Sequence, residues 1–158
     1  MMGQGVVISM HVAATGAAPM RATTSARAVP GQGLEGDRYF SKLGTYSNEP
    51  GSGRELTLIE IEAVEALKRD YRIELDAGRV RRNIVTRGIP LNHLVAKEFK
   101  IGDVVLRGTR LCEPCAHLEK LTSQGVMRGM IHRGGLRAEI VTDGTLRVGD
   151  AIQLSTDR

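Results

Sequence analysis

The amino-acid sequence predicts a mainly β domain of the α+β class, a barrel or a sandwich. Short apolar or alternating segments recur along the chain and are separated by turns that contain glycine, proline or aspartate, which is typical of closed or layered β folds. Only one segment has a clear helical periodicity, and strands do not alternate regularly with helices, which disfavours a doubly wound parallel sheet. At 158 residues, the chain is predicted to form a single domain over residues 1–158.

The first 54 residues contain two predicted strands and two loops. Residues 6–13 form a β-rich run, and residues 21–29 alternate in part, so we predict a second strand that pairs with the first. Residues 30–38, Pro-Gly-Gln-Gly-Leu-Glu-Gly-Asp-Arg, form a glycine-dense loop. This loop lacks the Gly-Lys-Ser/Thr of a Walker motif, so it is either an ordinary connection or another kind of phosphate-binding loop. Residues 41–54 are polar and are predicted to form an exposed loop.

The segment with helical periodicity lies at residues 58–70. It follows a short predicted strand at residues 55–58, and Thr57 and Glu60 have the spacing of a capping box. Its apolar residues recur at helical spacing and are Ala63, Val64, Leu67 and Tyr71. We therefore predict one helix that covers the core.

The second half of the chain returns to β patterns. Residues 84–86 are a predicted strand, and residues 91–95 are a short helical turn. Two Gly-Asp turns, at residues 102–103 and 149–150, each precede an apolar or alternating segment. We interpret them as similar turn chemistry and not as an internal repeat.

Two further features of this half concern local connections. Asp143-Gly144 lies between the β-like segments 138–142 and 146–148, and Asp-Gly is a strong signal for a β-hairpin. Residues 111–118, Leu-Cys-Glu-Pro-Cys-Ala-His-Leu, are predicted to end a strand and to continue into a turn, because Pro114 restricts its neighbour to extended backbone. Loops held by a rigid scaffold often carry function.

The composition and charge limit the possible functions. Hydrophobic residues make up 41% and charged residues 25%, as in ordinary globular proteins. Aromatic residues make up only 3%, so a stacking surface for single-stranded nucleic acid is not expected. The net charge of +4 is compatible with a phosphorylated ligand or nucleic acid, and also with ordinary solvated surface charge. His11 interrupts the N-terminal apolar run, so we expect no secretory signal, no membrane span and a cytoplasmic location.

The two cysteines of the chain allow four interpretations. Cys112, Cys115 and His117 have zinc-like spacing, and His93, His132 or a distant carboxylate would complete the site. Cys-Glu-Pro-Cys also resembles a thioredoxin-type pair, although that motif normally opens a helix in a βαβ unit. Attachment of c-type haem is excluded because residue 116 is alanine. The fourth interpretation is a pair of buried cysteines that act as small apolar residues.

A series of short motifs resembles the MOSC domain, named for the C-terminal domain of molybdenum cofactor sulfurase. The resemblance extends from about Gly5 to Leu154. Its motifs are Pro30-Gly31-x-Gly33-Leu34-Glu35-Gly36-Asp37-Arg38, Arg82-Asn83-Ile84-Val85-Thr86, Ile101-Gly102-Asp103, Glu113-Pro114-Cys115 and Val148-Gly149-Asp150. It implies a barrel-like fold, one helix with a few short helical segments, and a molybdenum–pterin cofactor. Larger catalytic members carry an additional N-terminal β domain that helps to enclose the cofactor.

The resemblance also suggests roles for particular residues. The position that matches the family's metal-binding cysteine is Cys115, whereas Cys112 does not match a ligand position. Three other matched positions are candidates for shaping the cofactor pocket, namely Asp37, Arg38 and Asn83. Three arginines, Arg82, Arg133 and Arg137, could hold the pterin phosphate, since guanidinium groups suit phosphate; the alternative for each is an ordinary surface arginine.

The function that the resemblance implies is the reduction of N-hydroxylated compounds such as hydroxylamines and amidoximes. In this hypothesis a small-molecule substrate is reduced at a molybdenum held by Cys115, a separate reductase supplies electrons, and His117 donates or relays a proton. A histidine packed in the turn is the alternative for His117. Two rival hypotheses remain: a non-catalytic module that carries cofactor or persulfide sulfur for a delivery partner, and a small binding domain with structural zinc.

Overall fold

The computed structural model of the protein describes residues 4–41, 55–113, 118, 121–122 and 124–155. Within these ranges it contains β1 Gly5–Val12, β2 Arg21–Thr23, β3 Ser25–Val29, β4 Gly33–Leu34, β5 Leu56–Glu60, β6 Ile84–Arg87, β7 Glu98–Ile101, β8 Val104–Leu111, β9 Leu136–Ile140, β10 Gly144–Arg147 and β11 Ala151–Leu154. The helix α1 spans Ile61–Tyr71, two 3-10 turns span Ala77–Val80 and Leu91–Leu94, and a short helical turn spans Val126–Gly129. No helix in the described ranges is long and apolar enough to cross a membrane.

Seven strands close into a barrel in the order β1, β6, β5, β9, β8, β7 and β11, and β11 pairs with β1 to complete the circle. Every neighbouring pair is antiparallel except β5 and β6. The predicted mainly β, barrel-like fold is therefore confirmed. The predicted strands at residues 6–13 and 84–86 correspond to β1 and β6.

The barrel interior is filled by the alternate side chains of its strands. Leu56 and Leu58 of β5, Leu136 and Ala138 of β9, and Phe99 of β7 are at most 1% exposed. Because side chains alternate along a strand, the intervening residues lie on the outer face. Thr57 and Arg137 belong to this outer face, which becomes important for the site described below.

A small second sheet, in the order β10, β3 and β4, packs on the barrel. Its residues Ala28, Leu34 and Leu146 are fully buried in the same apolar cluster as the barrel interior. The predicted second strand is thus two strands: β2 pairs with β1 as expected, whereas β3 pairs with β4 and β10. The glycine-dense loop contains β4 and then the turn that carries Asp37 and Arg38.

Helix α1 packs on the outside of the barrel. Val64 and Leu67 lie in a second apolar cluster with Ile59 of β5 and Val85 of β6. The helix ends at Arg72, whose backbone is left-handed (φ 56°) and whose N–H donates to the carbonyl of Lys68. This cluster supports the segment that carries Arg81 and Arg82, because Val80 is buried in it.

Two local predictions were wrong. Asp143-Gly144 does not join a hairpin: β9 pairs with β5 and β8 on its two edges, so β10 pairs with β3 instead. Thr57 does not cap the helix, because the strand continues to Glu60 and the Thr57 hydroxyl bonds to Asn83. The predicted helix at residues 58–70 therefore begins three residues later, at Ile61.

Three other predictions about connections agree with the structure, and a fourth concerns residues that are not described. The Gly102-Asp103 turn joins β7 to β8 directly, and residues 91–94 form the predicted helical turn. Strand β8 ends at Leu111, as the sequence predicts. The loop predicted at residues 41–54 lies outside the described residues except for Ser41.

Candidate cofactor site

Asp37 lies buried where the glycine-dense loop meets the end of β1. Its Oδ1 accepts hydrogen bonds from the backbone N–H of Ala13 (3.1 Å) and from Nη1 of Arg38 (2.9 Å). The side chains of Asp37 and Arg38 are 0% and 6% exposed. Removing one partner of such a pair leaves an uncompensated buried charge, so the pair fixes this loop on the barrel.

The Arg38 guanidinium is held on several sides. Nη1 lies 3.5 Å from the sulfur of Met20, and Nη2 donates to the carbonyl of Arg81 at 3.5 Å. The group also lies 4.8 Å from the centroid of the Tyr39 ring, a cation–π distance. These contacts bring the glycine-dense loop next to the segment that leads into β6.

Arg38, Arg81 and Arg82 form a group of positive charges that we call the arginine cluster. Burial lowers the pKa of Arg81, and the positive charge of Arg38 lowers it further, as that of Arg82 does to a smaller extent. The Asp37 carboxylate acts in the opposite direction. The cluster has three guanidinium groups and, in Asp37, one carboxylate, so its net positive charge suits an anion such as phosphate.

Arg82 connects the cluster to the end of β8. Its Nε donates to the carbonyl of Gly134 at 2.7 Å, and its Nη2 donates to the carbonyl of Cys112 at 3.1 Å. Arg82 is only 7% exposed. The N–H of Cys112 donates in turn to the carbonyl of Gly135 at 2.7 Å. The chain is thus held in place three residues before Cys115.

Asn83 joins three strands at the barrel wall. Its Oδ1 accepts from the backbone N–H (3.0 Å) and the hydroxyl (3.3 Å) of Thr57, and its Nδ2 donates to the carbonyl of His11 at 3.1 Å. The residue is fully buried. Asn83 therefore uses its amide to hold β1, β5 and β6 together, and it lies directly next to the arginine cluster in the chain.

Arg137 lies on the outer face of β9, opposite Thr57 of β5. Its Nη1 is buried and has no hydrogen-bond partner among the residues that the structure describes. Arg133 is directed elsewhere: its Nη1 lies 3.6 Å from Asp70 at the end of α1. The structure thus brings together Asp37, Arg38, Arg82 and Asn83 and places Arg137 opposite Thr57, to which Asn83 bonds, whereas the Arg133 side chain faces the helix.

Glu113 lies near the start of residues 111–118, which contain both cysteines and which we call the cysteine loop. Its Oε1 accepts from the backbone N–H of His132 at 2.8 Å, and its Oε2 lies 3.0 Å from His132 Nδ1. His132 has left-handed backbone (φ 62°), and its carbonyl accepts from Asn92 at 3.0 Å. Carboxylate and imidazole are both exposed, so the contact orders the loop more than it stabilises the fold.

The remaining predicted residues, Cys115 and His117, lie outside the described residues. Cys112 is described, and it is 3% exposed. Within the described ranges, no group of three or more histidine, cysteine, aspartate and glutamate side chains could hold a metal ion.

The sequence did not identify Arg81 as a site residue, and it indicated His132 only as a possible fourth zinc ligand. Arg81 belongs to the basic run at residues 79–82, and that run is the signal that could have indicated it. His132 is brought to Glu113 only by the fold, since 18 residues separate them in the chain.

Comparisons with known proteins agree with the fold and with the motifs. The structure is similar to that of the YuaD protein from Bacillus subtilis, with a TM-score of 0.81 and 14% identity over 95% of this chain and 94% of that one. It is also similar to YiiM from Geobacillus stearothermophilus (TM-score 0.70, 13% identity, 95% and 74% coverage) and to YiiM from Escherichia coli (TM-score 0.67, 16% identity, 98% and 69% coverage).

At these identities the structural similarity establishes the fold alone. A search of curated proteins gave no significant match. The family model of the MOSC domain matches residues 45–153, more than two thirds of the chain. The chain therefore belongs to the MOSC domain family.

Proposed function

We propose that this protein binds a molybdenum–pterin cofactor and reduces N-hydroxylated compounds, with Cys115 as the protein ligand of the metal. The MOSC family is associated with functions related to the molybdenum cofactor. The observation that carries the proposal is the arginine cluster next to the start of the cysteine loop. It combines three neighbouring guanidinium groups with a chain segment that is fixed three residues before a thiol.

The donor groups of the site fit the anionic end of a pterin cofactor. Guanidinium groups bind phosphate through paired N–H donors, and Arg38 and Arg82 are already oriented by bonds to Asp37 and Cys112. Arg137 supplies a buried Nη1 that has no partner in the described part of the chain. Such a donor costs free energy unless a ligand accepts from it.

Different residues of the protein would bind the phosphate, position the arginines and bind the metal. Arg38, Arg82 and Arg137 would bind phosphate, while Asn83 would hold β1 and β5 against β6 so that Arg82 remains in place. The Cys115 thiolate would bind the metal, since soft sulfur suits a metal that changes oxidation state. When bound, the cofactor supplies two-electron oxygen-atom transfer. His117 would donate a proton, and a separate reductase would supply the electrons.

Metal and activity analysis tests this proposal on protein purified from a host that makes the cofactor. We expect about one molybdenum per chain in the wild type and in Cys112→Ser, and its loss in Cys115→Ser, because one thiolate holds the metal. With an electron donor, the loaded protein should reduce hydroxylamine and benzamidoxime.

Other results would support other functions. Zinc in place of molybdenum, lost in both serine variants, would refute the proposal in favour of a structural zinc site. Molybdenum without reduction of either compound would refute the enzyme and leave a cofactor or sulfur carrier.

A further inference from the structure

A cavity lies on the outside of the barrel, between helix α1 and the turn that leads into β9. It has a volume of about 420 Å³, is open to solvent, and is lined by none of the arginines of the arginine cluster. We call it the helix pocket. Ala63 and Ala66 of α1 and Gly135 of the turn belong to its lining, and these small residues leave space between the two walls. Small-ligand sites commonly have volumes of this order.

Two carboxylates lie at one end of the helix pocket, at the start of α1. Oε2 of Glu60 accepts from the backbone N–H of Leu91, and Oε2 of Glu62 accepts from that of Gly88, each at 3.0 Å. Burial raises the pKa of Glu60, and the charge of Glu62 also raises it, although the Leu91 N–H acts in the opposite direction. A half-buried carboxylate of this kind gains free energy from a cationic hydrogen-bond donor.

Two guanidinium groups lie towards the other end of α1. Arg69 follows Glu62 by seven residues, which corresponds to about 10 Å along the helix axis. Nε and Nη2 of Arg69 donate to Asp70 at 2.7 and 2.9 Å, and Nη1 of Arg133 lies 3.6 Å from the same carboxylate. Asp70 therefore orients both groups. Since one carboxylate cannot neutralise two guanidinium groups, this end of the pocket retains positive charge.

In the part of the chain that the structure describes, no ion pair joins the two ends of the pocket. The carboxylates of Glu60 and Glu62 bond to backbone N–H groups, and the arginines contact Asp70. The charge of Arg133 nevertheless acts to lower the pKa of Glu60, so the two ends lie within electrostatic reach of each other. Opposite charges thus line one cavity without direct contact, and a molecule that carries both signs would pair with both ends.

The remaining polar lining connects the helix pocket to the cysteine loop. Nδ2 of Asn92 donates to the carbonyl of His132 at 3.0 Å, and the N–H of His132 donates to Glu113 at 2.8 Å. His132 therefore contacts both the pocket and the start of that loop. Because its imidazole is exposed, its NMR signals can report a ligand in the pocket.

We propose that the helix pocket binds a small zwitterion such as a free amino acid, with its ammonium group on the side of Glu60 and Glu62 and its carboxylate group on the side of the arginines. Ammonium supplies three hydrogen-bond donors, and guanidinium groups bind carboxylates through paired N–H groups. The inference goes beyond the proposed function, and it depends neither on the cofactor nor on Cys115.

Ligand-observed NMR on the full-length protein tests the proposal with glycine, 4-aminobutyrate and 6-aminohexanoate, whose two charges are separated by different distances. Each zwitterion is compared with the amine and the carboxylate of the same chain length, which carry a single charge. We expect at least one zwitterion to bind about tenfold more tightly than both of its single-charge analogues, a difference of ~1.4 kcal/mol. Its addition should shift the imidazole signals of His132 and leave those of His11, which is outside the lining.

Charge-removing variants test the two ends separately. Glu60→Gln and Arg133→Gln should each bind the zwitterion about tenfold more weakly, whereas Glu98→Gln and Arg72→Gln, at exposed positions outside the lining, should bind it like the wild type. Arg133→Gln should leave binding of the amine unchanged, and Glu60→Gln should leave binding of the carboxylate unchanged, which a general loss of structure would not do. Glu62→Gln replaces Glu60→Gln if circular dichroism shows that the latter does not fold.

Three results would overturn the assignment of the helix pocket. The first is that none of the zwitterions binds, and the second is that each binds no more tightly than its single-charge analogues. The third is equal binding by the wild type and both pocket variants, which would place the ligand elsewhere on the protein. None of these measurements requires bound cofactor or turnover, so their outcome is independent of the proposed reductase activity.

Discussion

Replacing Arg137 by methionine should weaken cofactor binding without weakening the fold. Most buried arginines cannot separate these effects, because they also bond to the protein: Arg82 donates to Gly134 and Cys112. Arg137 differs because its buried Nη1 has no partner among the described residues. Methionine keeps the unbranched aliphatic stem and removes the guanidinium.

The expected magnitudes follow from this unpaired donor. A buried donor without a partner costs about 1–3 kcal/mol, so Arg137→Met should leave the free energy of unfolding unchanged or raise it by up to that amount. A rise of 1 kcal/mol would increase the Tm of a domain of this size by about 2–4 °C. If Nη1 donates to phosphate in the loaded protein, losing a charged hydrogen bond worth about 1.5–3 kcal/mol would weaken binding roughly 10- to 150-fold.

The assay compares Arg137→Met with Arg107→Met, which removes an arginine from the exposed outer face of the neighbouring strand β8. Thermal melts of cofactor-free protein report stability, and molybdenum content after purification and dialysis reports cofactor retention. Arg107→Met should retain cofactor like the wild type. A lower Tm for Arg137→Met, or full molybdenum occupancy in it, would contradict the assignment of Arg137 to the phosphate.

Three further predictions concern stability. Asp37→Asn should destabilise the fold by ~3–5 kcal/mol in urea titrations, because it leaves the buried guanidinium charge of Arg38 unopposed. The control Asp103→Asn changes an exposed residue and should have little effect. Equal urea midpoints for the two variants would contradict the role of the buried pair. Gly135→Ala should cost about 3 kcal/mol or more, because its φ is +109° and a Cβ would overlap the carbonyl oxygen of Leu58; a melt like that of the wild type would refute this. Burial lowers the pKa of His11 in the folded state, so below pH 6.5 the unfolded chain takes up a proton that the folded protein does not. The free energy of unfolding should therefore fall as the pH drops from 7 to 5. Unfolding titrations of His11→Gln should show a smaller fall over the same pH range.

The sequence predicted those parts of the fold that depend on local pattern. The alternation and turn signals indicated β1 and β6 and the Gly102-Asp103 connection, because each depends on residues that are close in the chain. The hairpin prediction at Asp143-Gly144 failed because a turn signal does not reveal whether the strand before it has a free edge. Both edges of β9 are already paired.

The helix start was wrong for a related reason. Thr57 and Glu60 match a capping box, but the Thr57 hydroxyl is engaged by Asn83, 26 residues away. Local sequence cannot report such a competition. Strand β5 continues to Glu60, and helix α1 then begins at Ile61 with no side-chain cap.

The sequence indicated several residues of the candidate site but not how the fold arranges them. Motif order identified Asp37, Arg38 and Asn83, but their burial depends on contacts with β1 and β5 that come from distant parts of the chain. The sequence treated Arg133 and Arg137 alike. The fold separates them, because Arg133 precedes β9 and faces α1, whereas Arg137 lies within β9 on the barrel wall.

Adjacent residues Arg82 and Asn83 couple closure of the barrel to assembly of the site. Asn83 holds β1 and β5 against β6 through its amide, and Arg82 extends from the same backbone to the carbonyl of Cys112. Since both residues are buried, neither can leave its position unless the other moves. Formation of the β1–β6–β5 junction should therefore fix the start of the cysteine loop at Cys112, one residue before Glu113 makes its own contact with His132.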